Sequence, residues 1–310
     1  MNSLRAYVTG GTGFIGYHLI DSLVKYGWLV TALHRPESAT SHLKKLGVNL
    51  VQGDLTKKDT ILDTIPNGID SIFHVAGNVS FSSIDNSIQN EDNILGTRNL
   101  LNAAIEKKCK RFIFTSTAAT SGLHLNSVNE ETKSNAMEIP INYFHSKKLA
   151  EELVLKSSNS KDIDAVILNP ANVVGPFDRK IWTPLTINIS KKKLEYIGSG
   201  TGSFCHVKNV AKAHVSAFHK GRNGNRYLLS GATAKFYEVT KLIAKLTNSP
   251  IPKLTEKTIM GISPELSLLM SSHQFIDCSK AILELDYTTC GIEDMFGDLV
   301  KWMKHEGLLD

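Results

Sequence analysis

The chain predicts an α/β protein, a doubly wound parallel sheet with a smaller C-terminal substrate lobe, and three observations carry that prediction. Short β-branched or aromatic runs alternate with longer stretches of helical spacing over the first two thirds. A glycine-rich turn, Thr9-Gly-Gly-Thr-Gly-Phe-Ile-Gly16, joins the first such run to the first helical stretch. A tyrosine and a lysine four positions apart, Tyr143-Phe-His-Ser-Lys147, lie in a later helical stretch.

Taken in order, residues 6–9, 29–34, 49–52, 71–74, 111–115 and 165–169 read as strands. Between them, residues 14–26, 86–107 and 142–157 carry apolar side chains at helical spacing, as the crossovers between parallel strands require. After Pro170 the alternation fades, and Pro176, Pro184, Pro250, Pro252 and Pro264 break the chain into shorter pieces. The division expected is therefore a dinucleotide-binding domain over residues 1–170 and a smaller substrate-binding domain over 171–310. Residues 224–230 read as a strand that could rejoin the main sheet.

Composition excludes several classes. The 310 residues, 42% hydrophobic, suffice for a large core. The formal charge of +5 is scattered, with Lys191-Lys-Lys193 as the only basic run, so nucleic acid is not implied and that run reads as a solvated helix end or loop. Cys109, Cys205, Cys278 and Cys290 show neither C-x-x-C spacing nor a disulfide framework, which fits a reducing compartment. No metal-ligand spacing such as H-E-x-x-H occurs among the eleven histidines, and no metal is expected. The first strand begins almost at Met1 and no apolar run reaches the ~18 residues that span a bilayer, so a cytoplasmic protein without membrane contact is expected.

Gly10, Gly13 and Gly16 follow a strand and open a helix, where missing side chains permit a tight turn, close approach to a pyrophosphate and close packing of helix on strand. The helix opening, Phe14, Ile15 and Gly16, then faces the phosphates. Gly11, Gly13 and Gly16 also satisfy G-x-G-x-x-G, so the turn has two registers. On a helix, Tyr143 and Lys147 share one face one turn apart. An ammonium there favours the phenolate and moves a side chain that ordinarily titrates near ~10 toward neutrality, which suits proton exchange with a carbonyl or alcohol. His145, two positions on, points to another face and reads as a surface or packing residue.

With these motifs in view, the chain resembles the extended short-chain dehydrogenase/reductase family, in its dihydroflavonol-4-reductase-like and aldehyde-reductase-like branch, over nearly its whole length. The resemblance rests on T-G-G-T-G-F-I-G at 9–16, G-D-L at 53–55, H-V-A-G at 74–77, N-x-x-G-T at 93–97, F-T-S-T-A-A at 114–119, Y-F-H-S-K at 143–147 and N-P-A-N-V-V-G-P at 169–176. His206-Val-Lys-Asn-Val-Ala-Lys-Ala-His214 is similar to a further family motif, with Asn209 where aspartate is usual; a helix cap is expected there. The resemblance implies a Rossmann fold and gives Thr117 the place of the active-site hydroxyl, with Ser116 the alternative one residue earlier. It places Asp54 and Leu55 beside the adenine, Val75, Ala76 and Gly77 along the cofactor's path, and Pro170 and Val173 near the nicotinamide. Asp54 could instead cap the segment that follows. Family members often dimerise through the helices represented here by 86–107 and 142–157, so a homodimer is a further implication.

The chemistry expected is hydride transfer between a nicotinamide and a carbonyl carbon, with Thr117 bonding the oxygen, Tyr143 delivering the proton, and Lys147 tuning the tyrosine and holding the nicotinamide ribose. The substrate expected is a small or hydrophobic ketone or aldehyde, since no arginine array for a nucleotide diphosphate follows Gly175-Pro176. Phe177, Trp182, Phe204, Met260 and Met270 suggest an apolar lobe, or ordinary core. The rival readings are a nucleotide-sugar epimerase or dehydratase that keeps its NAD, and a non-catalytic module that binds the dinucleotide as a redox sensor. At the end of the second strand, Leu33-His34-Arg35-Pro36 offers no acid before Glu37. Arg35, with Ser38 beside it, is placed to take a 2'-phosphate, so NADPH is expected over NADH; the plain alternative is a solvent-facing arginine.

Overall fold

The structure, a computed structural model, describes residues 3–81, 85–257, 259 and 262–309. The first part of the chain runs β1 (Arg5–Thr9), α1 (Phe14–Lys25), β2 (Leu29–His34), α2 (Ser41–Lys44), β3 (Asn49–Gln52), β4 (Ser71–His74), α3 (Asn86–Asn90), α4 (Gly96–Glu106), β5 (Arg111–Thr115), α5 (Asn142–Asn159) and β6 (Ala165–Pro170). It continues through β7 (Asn172–Val174), α6 (Trp182–Ser190), β8 (Tyr196–Gly198), β9 (Thr201–His206), α7 (Val207–Lys220) and β10 (Arg226–Leu229). Last come β11 (Thr233–Lys235), α8 (Phe236–Leu246), β12 (Lys253–Thr255), α9 (Pro264–Ser271), α10 (Ser279–Leu285) and α11 (Ile292–His305).

Seven strands pair in the order β10-β6-β5-β4-β1-β2-β3, every pair parallel. The direction of winding reverses between β1 and β4, and in such sheets the crevice at the carboxyl ends of the strands at that point is where ligands bind. The side-chain period of two distributes each strand over both faces. Ala6, Val8, Phe73, Ile113, Val166 and Leu168 join one core with Leu19, Ile20 and Leu23 of α1 and Val210 and Ala211 of α7. Tyr7, Ile72, Phe112, Phe114 and Ile167 join the other, against Leu100, Leu101 and Ala104 of α4 and Ala150 and Val154 of α5. Helices cover both faces, which is why β4 and β6 read as unbroken buried runs.

Three segments beyond residue 170 return to this sheet. β10 pairs with β6, and α7 and α10 supply Val210, Ala211, Ala281 and Leu285 to its core. The remainder forms a second lobe around β7, β9 and β11, with a core that includes Trp182, Phe204, Phe236, Met270 and Phe296. Phe177 packs against that core, while Met260 lies outside the described residues. These side chains are the lobe's interior, as the plainer of the two expectations had it. Lys191, Lys192 and Lys193 are exposed just past the end of α6.

Two local features differ from the sequence expectation. The stretch 86–107 is not one regular helix: a π-helical turn, Glu91–Leu95, separates α3 from α4. The cap of α7 is His206, whose ring accepts from the Lys208 N–H at 3.1 Å, and Asn209 lies within the first turn. Among the described residues no helix is long and apolar enough to cross a membrane.

Candidate active site in the crevice between the lobes

The glycine turn is shaped by contact with the strand beside it. Gly10 has φ +70°, and a Cβ on it would stand 2.5 Å from the Ala76 nitrogen; one on Gly16 would stand 2.1 Å from the Gly10 carbonyl oxygen. Only glycine fits either place. No side chain caps α1 at Gly13. The first-turn N–H groups of Phe14, Ile15 and Gly16 are therefore left for an external acceptor, and together with the bare glycine surface this fits a dinucleotide pyrophosphate. Val75 to Gly77 run past this turn, with the Ala76 N–H donating to Thr9 Oγ1 at 3.2 Å. At the far side, a Cβ on Gly77 would lie 3.8 Å from Lys147 Nζ. The path from glycine turn to lysine is thus continuous, and His74 beneath it is buried between Thr9 Oγ1 and Thr97 Oγ1 at 2.8 and 2.9 Å. Burial pushes its imidazole down to about 3, so it packs as a neutral ring.

At the other end of the crevice Arg35 is engaged by two acids. Its Nη2 makes a close ion pair with Asp92 of the π-helical turn and stands 3.6 Å from Asp54. Asp54 Oδ1 accepts from the Thr56 N–H and hydroxyl at 3.0 and 2.9 Å. Burial raises the Asp54 carboxyl, but those bonds and the Arg35 charge outweigh it and hold the carboxyl below its ordinary value. Leu55 is buried, its carbonyl accepting from Asn99 at 2.9 Å. Ser38 donates its backbone N–H to the Arg35 carbonyl, closing a turn after β2.

The chemistry-bearing side chains meet where α5 passes the ends of β5 and β6. Lys147 is buried; its Nζ donates to the Thr115 carbonyl at 2.9 Å and lies 4.3 Å from the centre of the Phe114 ring. Burial lowers its ammonium to about 8, against the opposing pull of Glu151. The Tyr143 phenol is pushed up by burial, while a hydrogen bond with the Thr117 hydroxyl pulls it down. This corrects the expectation of a phenol drawn toward neutrality by the lysine. Desolvation wins, and the ammonium is turned to a backbone carbonyl, so Tyr143 holds its proton at ordinary pH.

Ser116 donates to Glu151 Oε2 at 2.6 Å and so faces away from the tyrosine. His145 bonds the Ile139 carbonyl at 2.7 Å. Pro170 ends β6 and Val173 lies in β7, next along the crevice. The wall beside the phenol is apolar: Phe81 meets the Tyr143 ring edge-on at 5.5 Å, within a cluster that includes Leu123, Ile139 and Leu269.

Four residues that hold this site carried no role in the sequence reading. Asn93 is buried; it accepts from the Asn78 N–H at 2.8 Å and donates to the Asn78 carbonyl and to Ser146 Oγ, both at 3.0 Å. It stood in the N-x-x-G-T motif without an assignment. Glu151, one turn past Lys147, is fully buried and accepts from Ser116, Thr120 and Asn169, with Arg226 Nε at 2.8 Å. That last pair is an ion pair without an aligned hydrogen bond. Asp92 and Arg226 find their partners 57 and 75 residues away, by the residue numbers, and local spacing holds no signal for them.

The chain is similar to known proteins over most of its length. The model of the NAD dependent epimerase/dehydratase family matches residues 6–230. Tetraketide alpha-pyrone reductase 2 of Arabidopsis thaliana is 30% identical, over 97% of this chain and 98% of its own. Dihydroflavonol 4-reductase of the same plant is 26% identical, over 97% of this chain and 83% of its own. The crystal structure of gox2253 superposes with a TM-score of 0.90 at 26% identity, covering 100% of both chains.

Proposed function

This chain belongs to the NAD dependent epimerase/dehydratase family, and from that premise we propose that it reduces a ketone or aldehyde with NADPH, using Thr117, Tyr143 and Lys147. The enzyme class is an NAD(P)-dependent oxidoreductase of the short-chain dehydrogenase/reductase type. The observation that carries the finer reading is the approach of the Thr117 hydroxyl to the Tyr143 phenol, with Lys147 one turn along the same helix.

A nicotinamide held there would supply the hydride to the carbonyl carbon. As charge grows on the carbonyl oxygen, Thr117 donates a hydrogen bond to it and Tyr143 passes it the phenolic proton, leaving an alcohol. A phenol kept protonated by burial is the right state for that transfer. Lys147, an ammonium a few ångströms from Gly77, would hold the ribose. The uncapped α1 and the glycine turn take the pyrophosphate, with Gly10, Gly13, Phe14, Ile15 and Gly16 lining it. Asp54 and Leu55 would border the adenine, Val75, Ala76 and Gly77 would line the path between, and Pro170 and Val173 would approach the nicotinamide. The apolar cluster of Phe81, Leu123 and Leu269 beside Tyr143 favours a hydrophobic carbonyl compound.

The test is cofactor oxidation across a panel of ketones and aldehydes, with Tyr143→Phe beside the unmodified enzyme. Turnover is expected to fall by on the order of 10²-fold or more while NADPH still binds. Undiminished turnover in that variant removes Tyr143 from its role. Purified protein that carries stoichiometric NAD⁺ and oxidises no external cofactor would instead place the chain among the epimerases.

A further inference from the structure

We infer that Asp92 sets the balance between NADP and NAD by competing with the cofactor's 2'-phosphate for Arg35. The inference rests on the reading of Arg35 as the 2'-phosphate partner and adds the residue that opposes it. Arg35 Nη2 pairs closely with Asp92 Oδ1, and the same nitrogen stands 3.6 Å from Asp54 Oδ1. One edge of the guanidinium therefore already serves two carboxylates.

Asp92 is poorly able to retreat. Its side chain is only 14% exposed, and its second oxygen accepts from Asn78 Nδ2 at 3.0 Å. The turn that carries it is pinned by the next residue, Asn93, through both backbone groups of Asn78. Arg35 is freer, with 42% of its side chain exposed. An incoming 2'-phosphate would draw Arg35 away and leave the Asp92 carboxylate uncompensated near a dianion. A ribose 2'-hydroxyl makes no such demand, because it can donate to a carboxylate while Arg35 keeps its pairs. The acid that dinucleotide folds usually place at the end of the second strand is missing here, and Asp92 supplies its charge from another part of the chain.

Isothermal titration of purified protein with NADP⁺ and with NAD⁺ tests this, using the unmodified chain, Asp92→Asn, Arg35→Ala and the double variant, each checked by thermal melting. Loss of one charge-assisted competitor should tighten NADP⁺ by about tenfold in Asp92→Asn, with NAD⁺ changed by less than about twofold. The gain should vanish in the double variant, because it acts through Arg35. Should Asp92→Asn fold poorly, Asp92→Ser gives the same comparison. If Arg35→Ala weakens NADP⁺ but neither Asp92 variant alters the ratio of the two affinities, the competition is refuted and the reading of Arg35 stands. If Arg35→Ala leaves NADP⁺ binding intact, Arg35 is not the phosphate partner and the competition falls with it.

Discussion

The side-chain amide of Asn93 donates to the Ser146 hydroxyl at 3.0 Å, tying the π-helical turn before α4 to the helix that carries Tyr143 and Lys147. Opening one turn of helix to π geometry is a recurrent device at functional sites. Here it accompanies a buried amide that meets α5 and the strand-end loop at Asn78 together. Replacing Asn93 with Leu would leave the Asn78 N–H without its acceptor, while the Asn78 carbonyl keeps Gln89 and the Ser146 hydroxyl keeps the Tyr143 carbonyl. The expected loss is roughly 1–3 kcal/mol for that amide, read by urea denaturation. A variant as stable as the parent would show that these bonds are replaced by water.

Thr117 is separable from Tyr143 by substitution. Thr117→Val keeps the shape and removes the donor, and kcat should fall on the order of 10²-fold with cofactor affinity unchanged. Thr117→Ser should restore most of the rate. Equal activity in the Val variant would transfer the oxygen-binding role elsewhere.

The buried ammonium of Lys147 makes stability depend on pH in a defined window. Its folded value, about 8, lies below its ordinary 10.5, so above pH 8 the unfolded chain binds more protons than the folded one. The cost of burying the charge is present in full below pH 8 and is recovered as pH rises to 10.5. The shift corresponds to a recovery on the order of 3 kcal/mol. Stability of the unmodified protein, measured against Lys147→Met, should therefore rise with pH across that window and run parallel below it. A difference that is flat from pH 7 to 10.5 would mean the ammonium keeps its ordinary affinity for its proton.

How much of this was legible in the sequence depends on the range of the interaction. The positions of the strands and of α5 follow from periodicity and from the glycine turn, because each is written in neighbouring residues, whereas the order of the strands in the sheet is not. The helix of 142–157 was found to within two residues at its end, Asn159. The π-helical turn was not, and the partners of its Asn93 lie 15 and 53 residues away, at Asn78 and Ser146. Arg35 was visible as a lone cation after β2, but its acids lie 19 and 57 residues on, by number. The Tyr143 phenol shows a further limit: spacing placed a cation nearby, whereas burial, a property of the whole fold, decided the direction of its shift. The aromatic residues of the second lobe had the composition of a pocket and the surroundings of a core.

Gly10 and Gly27, both left-handed, separate backbone strain from close approach. Gly10 has φ +70° and Gly27 φ +78°, so alanine at either must take a conformation that costs about 1–2 kcal/mol. Around Gly27 a Cβ would meet nothing within 4 Å, whereas at Gly10 it would stand 2.5 Å from the Ala76 nitrogen and 2.7 Å from its Cα. Those are backbone atoms of the segment that leads from the glycine turn to Gly77, and they cannot move aside as a side chain would. Gly27→Ala should therefore lose only the conformational cost and bind NADP⁺ as the parent does. Gly10→Ala should lose more stability and, by pushing the 75–77 segment away from the turn, weaken NADP⁺ by on the order of tenfold or more. Urea denaturation and isothermal titration on the two variants check this together. Equal losses of stability with intact binding in both would mean that the turn tolerates a methyl group, and that its close packing on Ala76 does not shape the dinucleotide site.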